Sequence, residues 1–136
     1  MATSAIKTIL QSSEVQKLRL ILKLTYGIVP IVAGLDKFTN ILTDWSQYLS
    51  PGIAEILPFS AATFMMIVGV IEIVAGVLVF VKTELGAYIV AAWLVCIALT
   101  LIASWRFVDV AVRDVVMAIG VYTLARLAKI SQEETT

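Results

Sequence analysis

Glu72 is the acid in this chain placed where an acid is hardest to keep. It is the one charged residue in an apolar run over 58–81. Ionisable groups within such a run are costly, so they pair, face a bundle interior or take part in function. Two further charged doublets, Asp36-Lys37 and Arg113-Asp114, border other apolar runs. The remaining inventory narrows the chemistry. Histidine is absent, which removes His-ligated haem and the usual general base near neutral pH. Cys96 is the single cysteine, so no intramolecular disulfide or cysteine metal cluster can form. Any redox centre must come from a bound small molecule or a partner.

Helical rise places these groups at different depths. Asp36 and Lys37 close the first apolar run, and Arg113 and Asp114 open the last. Their charges balance across the two runs, Lys37 with Asp114 and Asp36 with Arg113. Two readings stand: an ion-pair clasp that sets helix register, or a polar pocket that holds an anionic or quinone-like head group. Glu72 is expected roughly 20 Å below the external end of its span. Tyr26, Trp93, Cys96 and Tyr122 come at similar depth. With no base beside it, Glu72 is expected to be neutral, with the hydroxyl of Tyr26 or Tyr122 as partner and Lys23 as a cation within reach. It is either a proton-handling, catalytic acid beside a ligand or an acid that hydrogen-bonds the bundle together. Gly69, Glu72, Ile73 and Gly76 share one helical face, and the glycines read as close helix packing. Cys96 reads as a small buried hydrophobe, and Trp93, Trp105 and Tyr88 as belt or core aromatics.

The elements that must carry these residues follow from composition. Of 136 residues, 60% are hydrophobic and 15% charged, with a mean hydropathy of +0.98. That is more apolar surface than a soluble chain of this length can hide. The fold class is all-α, a four-helix transmembrane bundle, since about 20 residues per crossing leaves room for four spans. The spans fall at 18–35, 58–81, 86–105 and 110–128. Gly27, Pro30 and Gly34 interrupt the first, and Pro30 is expected to kink it. Residues 1–17 read as a cytoplasmic amphipathic segment, from Ile6, Ile9, Leu10 and Val15 set among Lys7, Gln11, Ser12, Glu14 and Gln16. This segment is expected to lie on the membrane surface. Over 39–57 the pattern predicts an interfacial helix with Trp45 and Tyr48 on its apolar face, a break at Ser50-Pro51-Gly52, and a short lead into span two. The four-span domain covers 18–130, and 131–136 is a polar, frayed tail.

Lys7, Lys17, Arg19, Lys23, Lys82, Arg126 and Lys129 collect on one side of this topology, whereas the other side balances Lys37, Arg106 and Arg113 with acids. The positive-inside rule therefore predicts both termini in the cytoplasm. Net charge is zero, and no basic patch interleaved with aromatics argues for nucleic acid. The first residues lack the short apolar core and cleavage site of a secretory signal, so they are expected to be retained.

Three stretches together resemble the DoxX-like membrane protein family. They are Ala33-Gly34-Leu35-Asp36-Lys37-Phe38, Gly69-Val70-Ile71-Glu72-Ile73-Val74-Ala75-Gly76, and Asp109-Val110-Ala111-Val112-Arg113-Asp114. The resemblance covers about 18–128, through the order and spacing of these motifs. It implies a four-helix bundle in the bacterial cytoplasmic (inner) membrane, and places Lys37, Glu72, Arg113 and Asp114 at the matching polar positions. Family members include a subunit of thiosulfate:quinone oxidoreductase; others associate with redox or oxidative-stress proteins, and distant relatives assist receptor assembly. The expectation is a small membrane subunit of a redox or respiratory assembly that binds quinone or lipid within the bundle. Its partners would be membrane lipid and other membrane or redox subunits, or further copies of itself. The rival expectation is a structural or chaperone-like subunit with no activity of its own.

Overall fold

The computed structural model describes the backbone of residues 2–135 and the side chains of 3–8 and 12–130. The described residues form helices and no strand: α1 (Ala2–Asp36), α2 (Pro51–Ile56), α3 (Ala61–Val81), α4 (Thr83–Ser104) and α5 (Val108–Thr135), with a 3-10 turn at Trp45–Tyr48. The four long helices pack in a closed ring, α1 on α3, α3 on α4, α4 on α5 and α5 back on α1. Valines and leucines that suit a lipid face point outward, among them Val70, Val74, Leu99 and Ile119, each more than half exposed.

Three helices, α1, α3 and α4, are long and apolar enough to cross a membrane. This is the pattern of a multi-pass membrane protein. The 21 residues of α3 and 22 of α4 rise about 32 Å, close to the thickness of a bilayer core. α5 has 28 residues, but Asp109, Arg113 and Asp114 near its start and Arg126 and Lys129 near its end shorten its apolar part to 115–125.

α1 corrects one expectation. The amphipathic segment is not a separate helix on the membrane surface; it runs straight into the first span as one helix of 35 residues. No glycine or proline precedes Gly27 to break it, and α1 continues through Pro30. The side chains of Ile9, Leu10 and Gln11 lie outside the described residues, as do those of 131–135. The backbone of that expected tail prolongs α5 through Thr135.

α1 and α3 touch through glycines. Gly27 and Gly34 stand seven residues apart on α1, as do Gly69 and Gly76 on α3, and the antiparallel helices match Gly34 to Gly69 and Gly27 to Gly76. A methyl group added at Gly69 would lie 2.6 Å from the Gly34 carbonyl oxygen, and one at Gly76 would lie 2.7 Å from that of Gly27. Only small residues let two backbones come so near.

This match has a consequence for depth. Gly34 packs against Gly69 and Ile73, so α1 ends beside the middle of α3. The first eight residues of α3, about 12 Å of helix, overhang that end. Residues 37–60 fill the overhang with a loop, the 3-10 turn and α2; the chain breaks at Leu49 and Ser50, ahead of Pro51, and the interfacial helix expected before that break is reduced to the 3-10 turn. Pro51 opens α2 at a position where its missing N–H costs nothing. Tyr48 anchors this cap by packing edge-on against Phe107, 4.7 Å between ring centres.

Candidate functional site

Because α1 stops halfway along α3, the charges at its end are buried inside the bundle rather than set at its rim. Asp36 is 7% exposed and Lys37 is 5% exposed. The Asp36 carboxylate organises the cap. It accepts from the Thr39 hydroxyl at 3.0 Å, the backbone N–H groups of Ile41 and Leu42 at 3.0 Å each, and the Trp45 indole N–H at 2.8 Å. Four donors satisfy a buried carboxylate. Asp36 is therefore fully used in holding the loop, and it does not pair with Arg113 as the charge balance suggested. Arg113 is exposed.

Trp45, held by Asp36, lies against the neighbouring Lys37. The Lys37 Nζ sits 3.7 Å from the centre of the Trp45 ring, a cation–π contact. The same Nζ donates to Glu72 Oε2 at 2.7 Å. Gly69 makes this reach possible: its bare Cα faces the Lys37 Cβ, so the lysine stem passes along α3 to the acid one turn further on. The second carboxylate oxygen, Glu72 Oε1, accepts from the Trp93 indole N–H on α4 at 3.3 Å. A continuous chain, Asp36–Trp45–Lys37–Glu72–Trp93, thus ties α1, the cap, α3 and α4.

Two expectations fall here. Glu72 does not take a tyrosine or Lys23 as partner; it lies near the centre of α3 and is paired with Lys37. Lys37 does not pair with Asp114. The depth was misjudged because span one was taken to cross fully, which placed Lys37 at the external end.

Asp114 on α5 completes the group from the opposite wall. It is 7% exposed and lines the same cavity as Lys37 and Glu72. The cavity that Lys37, Glu72 and Asp114 line has a volume of about 490 Å³ within the bundle. Tyr26, Tyr48, Trp45, Trp93, Cys96 and Arg113 also line it, with apolar residues such as Val29, Met65 and Ile97. A space of this size, mainly apolar with a few converging polar groups, is of the kind that holds a small organic ligand. Among the described residues, no group of acids and cysteine could hold a metal ion.

The structure thus gathers Tyr26, Lys37, Glu72, Arg113 and Asp114 around one cavity and sets Asp36 beside it as a support. Tyr122 is elsewhere: it is half-exposed and packs edge-on against Tyr88. The acid of α5 that lines the cavity with Glu72 is Asp114, eight residues before Tyr122. Cys96 is accessible rather than buried. Trp45 and Trp93 are the functional-site residues the sequence reading passed over as belt and core aromatics. For Trp93, its match in depth to Glu72 was the available signal; for Trp45 there was none. Comparison of the chain with protein-family models, with curated proteins and with solved structures finds no match.

Proposed function

We propose that this protein is a small four-span membrane subunit that binds an amphipathic molecule of the quinone or lipid type inside its bundle. α5 serves as the fourth crossing, since its exposed Val112, Val116 and Ile119 give it an apolar outer face. Both termini lie in the cytoplasm by the positive-inside rule, and the DoxX-like resemblance points to a bacterial inner membrane. The observation that carries the reading is the cavity: mainly apolar in its lining, with buried Lys37, Glu72 and Asp114 among the residues that face it. An apolar tail suits the apolar lining, and a polar head group suits the three charged residues. The electron donor or acceptor would come from a partner subunit, because the chain lacks metal-ligand clusters of its own among the described residues.

Native purification in mild detergent, followed by solvent extraction, tests this. The reading expects a quinone or lipid retained in near-stoichiometric amount, and a partner protein retained with it. Glu72→Gln is expected to lower that retention.

A second reading is favoured by the completeness of the polar chain. Asp36, Lys37 and Glu72 are all satisfied from within, which is what a register clasp in a structural or chaperone-like subunit requires. It predicts that Lys37→Met with Glu72→Leu leaves partner assembly intact and that no ligand is retained.

A further inference from the structure

Lys37 and Glu72 are partnered by each other and by the two tryptophans, but Asp114 is not. It makes no hydrogen bond or ion pair with any described residue, although it is 7% exposed. Every fully enclosed side-chain nitrogen or oxygen among the described residues has a partner. The Asp114 oxygens therefore keep accessible surface, and the residue lines the cavity. A buried carboxyl without a partner is expensive to hold, and a fold that needed only a clasp would gain by removing it.

We infer that Asp114 is the hydrogen-bond acceptor for the ligand's head group, and that the cavity selects a head group bearing an O–H donor. On the ligand-binding reading above, on which this rests, the preferred species is the reduced quinol rather than the quinone. A quinone head offers only carbonyl acceptors, whose lone pairs would face those of the Asp114 carboxylate, whatever donors Lys37 or Tyr26 lend elsewhere along the cavity. A quinol hydroxyl can donate to the Asp114 carboxylate, which accepts from no described residue. Arg113 also borders the cavity but is exposed, so its donors are not in want of a partner in the same way.

The test is anaerobic titration calorimetry on the full chain in mild detergent, with decylubiquinol and decylubiquinone as probes. Wild type should bind the quinol about tenfold more tightly or better, the worth of a hydrogen bond to a charged group. Asp114→Leu should bring the two affinities within about twofold, while the unliganded variant melts no lower than wild type, since no native contact of Asp114 is lost. Asp114→Asn, which keeps the shape but not the charge, should lose most of the preference and serves if the leucine variant fails to fold. Equal affinities in wild type, or a quinol preference that survives in both variants, would overturn the inference and leave the ligand-binding reading standing. Tighter binding of the quinone would assign the head group to Arg113 and overturn it as well. Binding of neither probe would overturn the inference and leave lipid as the ligand class of that reading.

Discussion

Lys37 and Glu72 stand 35 residues apart in the chain, and their charged atoms lie 2.7 Å apart in the bundle interior. The pair is reachable because Gly69 carries no side chain and because α1 ends beside the middle of α3. Its surroundings are low in dielectric, where a charge without a counter-charge is far more costly than a matched pair.

Breaking the pair from one side should therefore hurt more than removing it whole. Lys37→Met is expected to cost about 3–5 kcal/mol by leaving Glu72 buried alone. Combining it with Glu72→Leu should recover most of that loss. Thermal or denaturant unfolding of the two single variants and the double variant in one detergent checks the cycle; additive losses would show that the two charges act separately.

The glycine match between α1 and α3 should be intolerant of even one methyl group. Gly69→Ala would set a Cβ 2.6 Å from the Gly34 carbonyl oxygen and 3.2 Å from the Lys37 Cβ, and separating the helices is expected to cost about 1–3 kcal/mol. Gly52→Ala is the control, for its nearest neighbour would be 3.8 Å away and its effect should stay within about 0.5 kcal/mol. Unfolding midpoints for both variants decide the matter. Equal effects would deny that this contact is close.

Trp45 should matter through its N–H more than through its ring. Trp45→Phe keeps an aromatic face for Lys37 but removes the 2.8 Å hydrogen bond to Asp36. The cap over 39–49 should then open more often, at a cost of about 1–3 kcal/mol for the buried acceptor left short of a donor. Hydrogen exchange read by mass spectrometry is expected to quicken at Ile41 and Leu42, whose N–H groups share that carboxylate, while α4 stays as in wild type.

Cys96 offers a chemical probe of the cavity, because it is accessible and lines it. A small maleimide should label the protein in detergent, and a saturating quinone or quinol should slow the labelling several-fold. Labelling at an unchanged rate would mean that the thiol is reached from outside the bundle.

Much of this architecture was legible in the sequence for reasons that are local. Long apolar runs over 58–81 and 86–105 dictate helices of bilayer length, and Gly69 and Gly76 on one face dictate close packing. The depth of Trp93 beside Glu72 follows from helical rise alone. What escaped depends on where a neighbouring helix stops. Nothing in Asp36-Lys37-Phe38 says that α1 ends halfway along α3, and that one fact moves Lys37 from the rim to Glu72. It likewise turns Asp36 from a partner for Arg113 into the anchor of a loop. Tyr122 was missed for a related reason: its depth was matched to Glu72 by helical rise, whereas the acid of α5 that lines the cavity with Glu72 is Asp114, eight residues earlier.

The central claim is that the cavity within the bundle holds one amphipathic molecule against Lys37, Glu72 and Asp114. Its most direct test compares wild type with Met65→Trp, a buried cavity-lining position on α3 where the larger ring fills the cavity, each purified natively in mild detergent and extracted for bound quinone and lipid. The account predicts close to one such molecule per chain in wild type and near none in the filled variant, with both proteins folded. Equal amounts in the two, or only detergent in wild type, would contradict it.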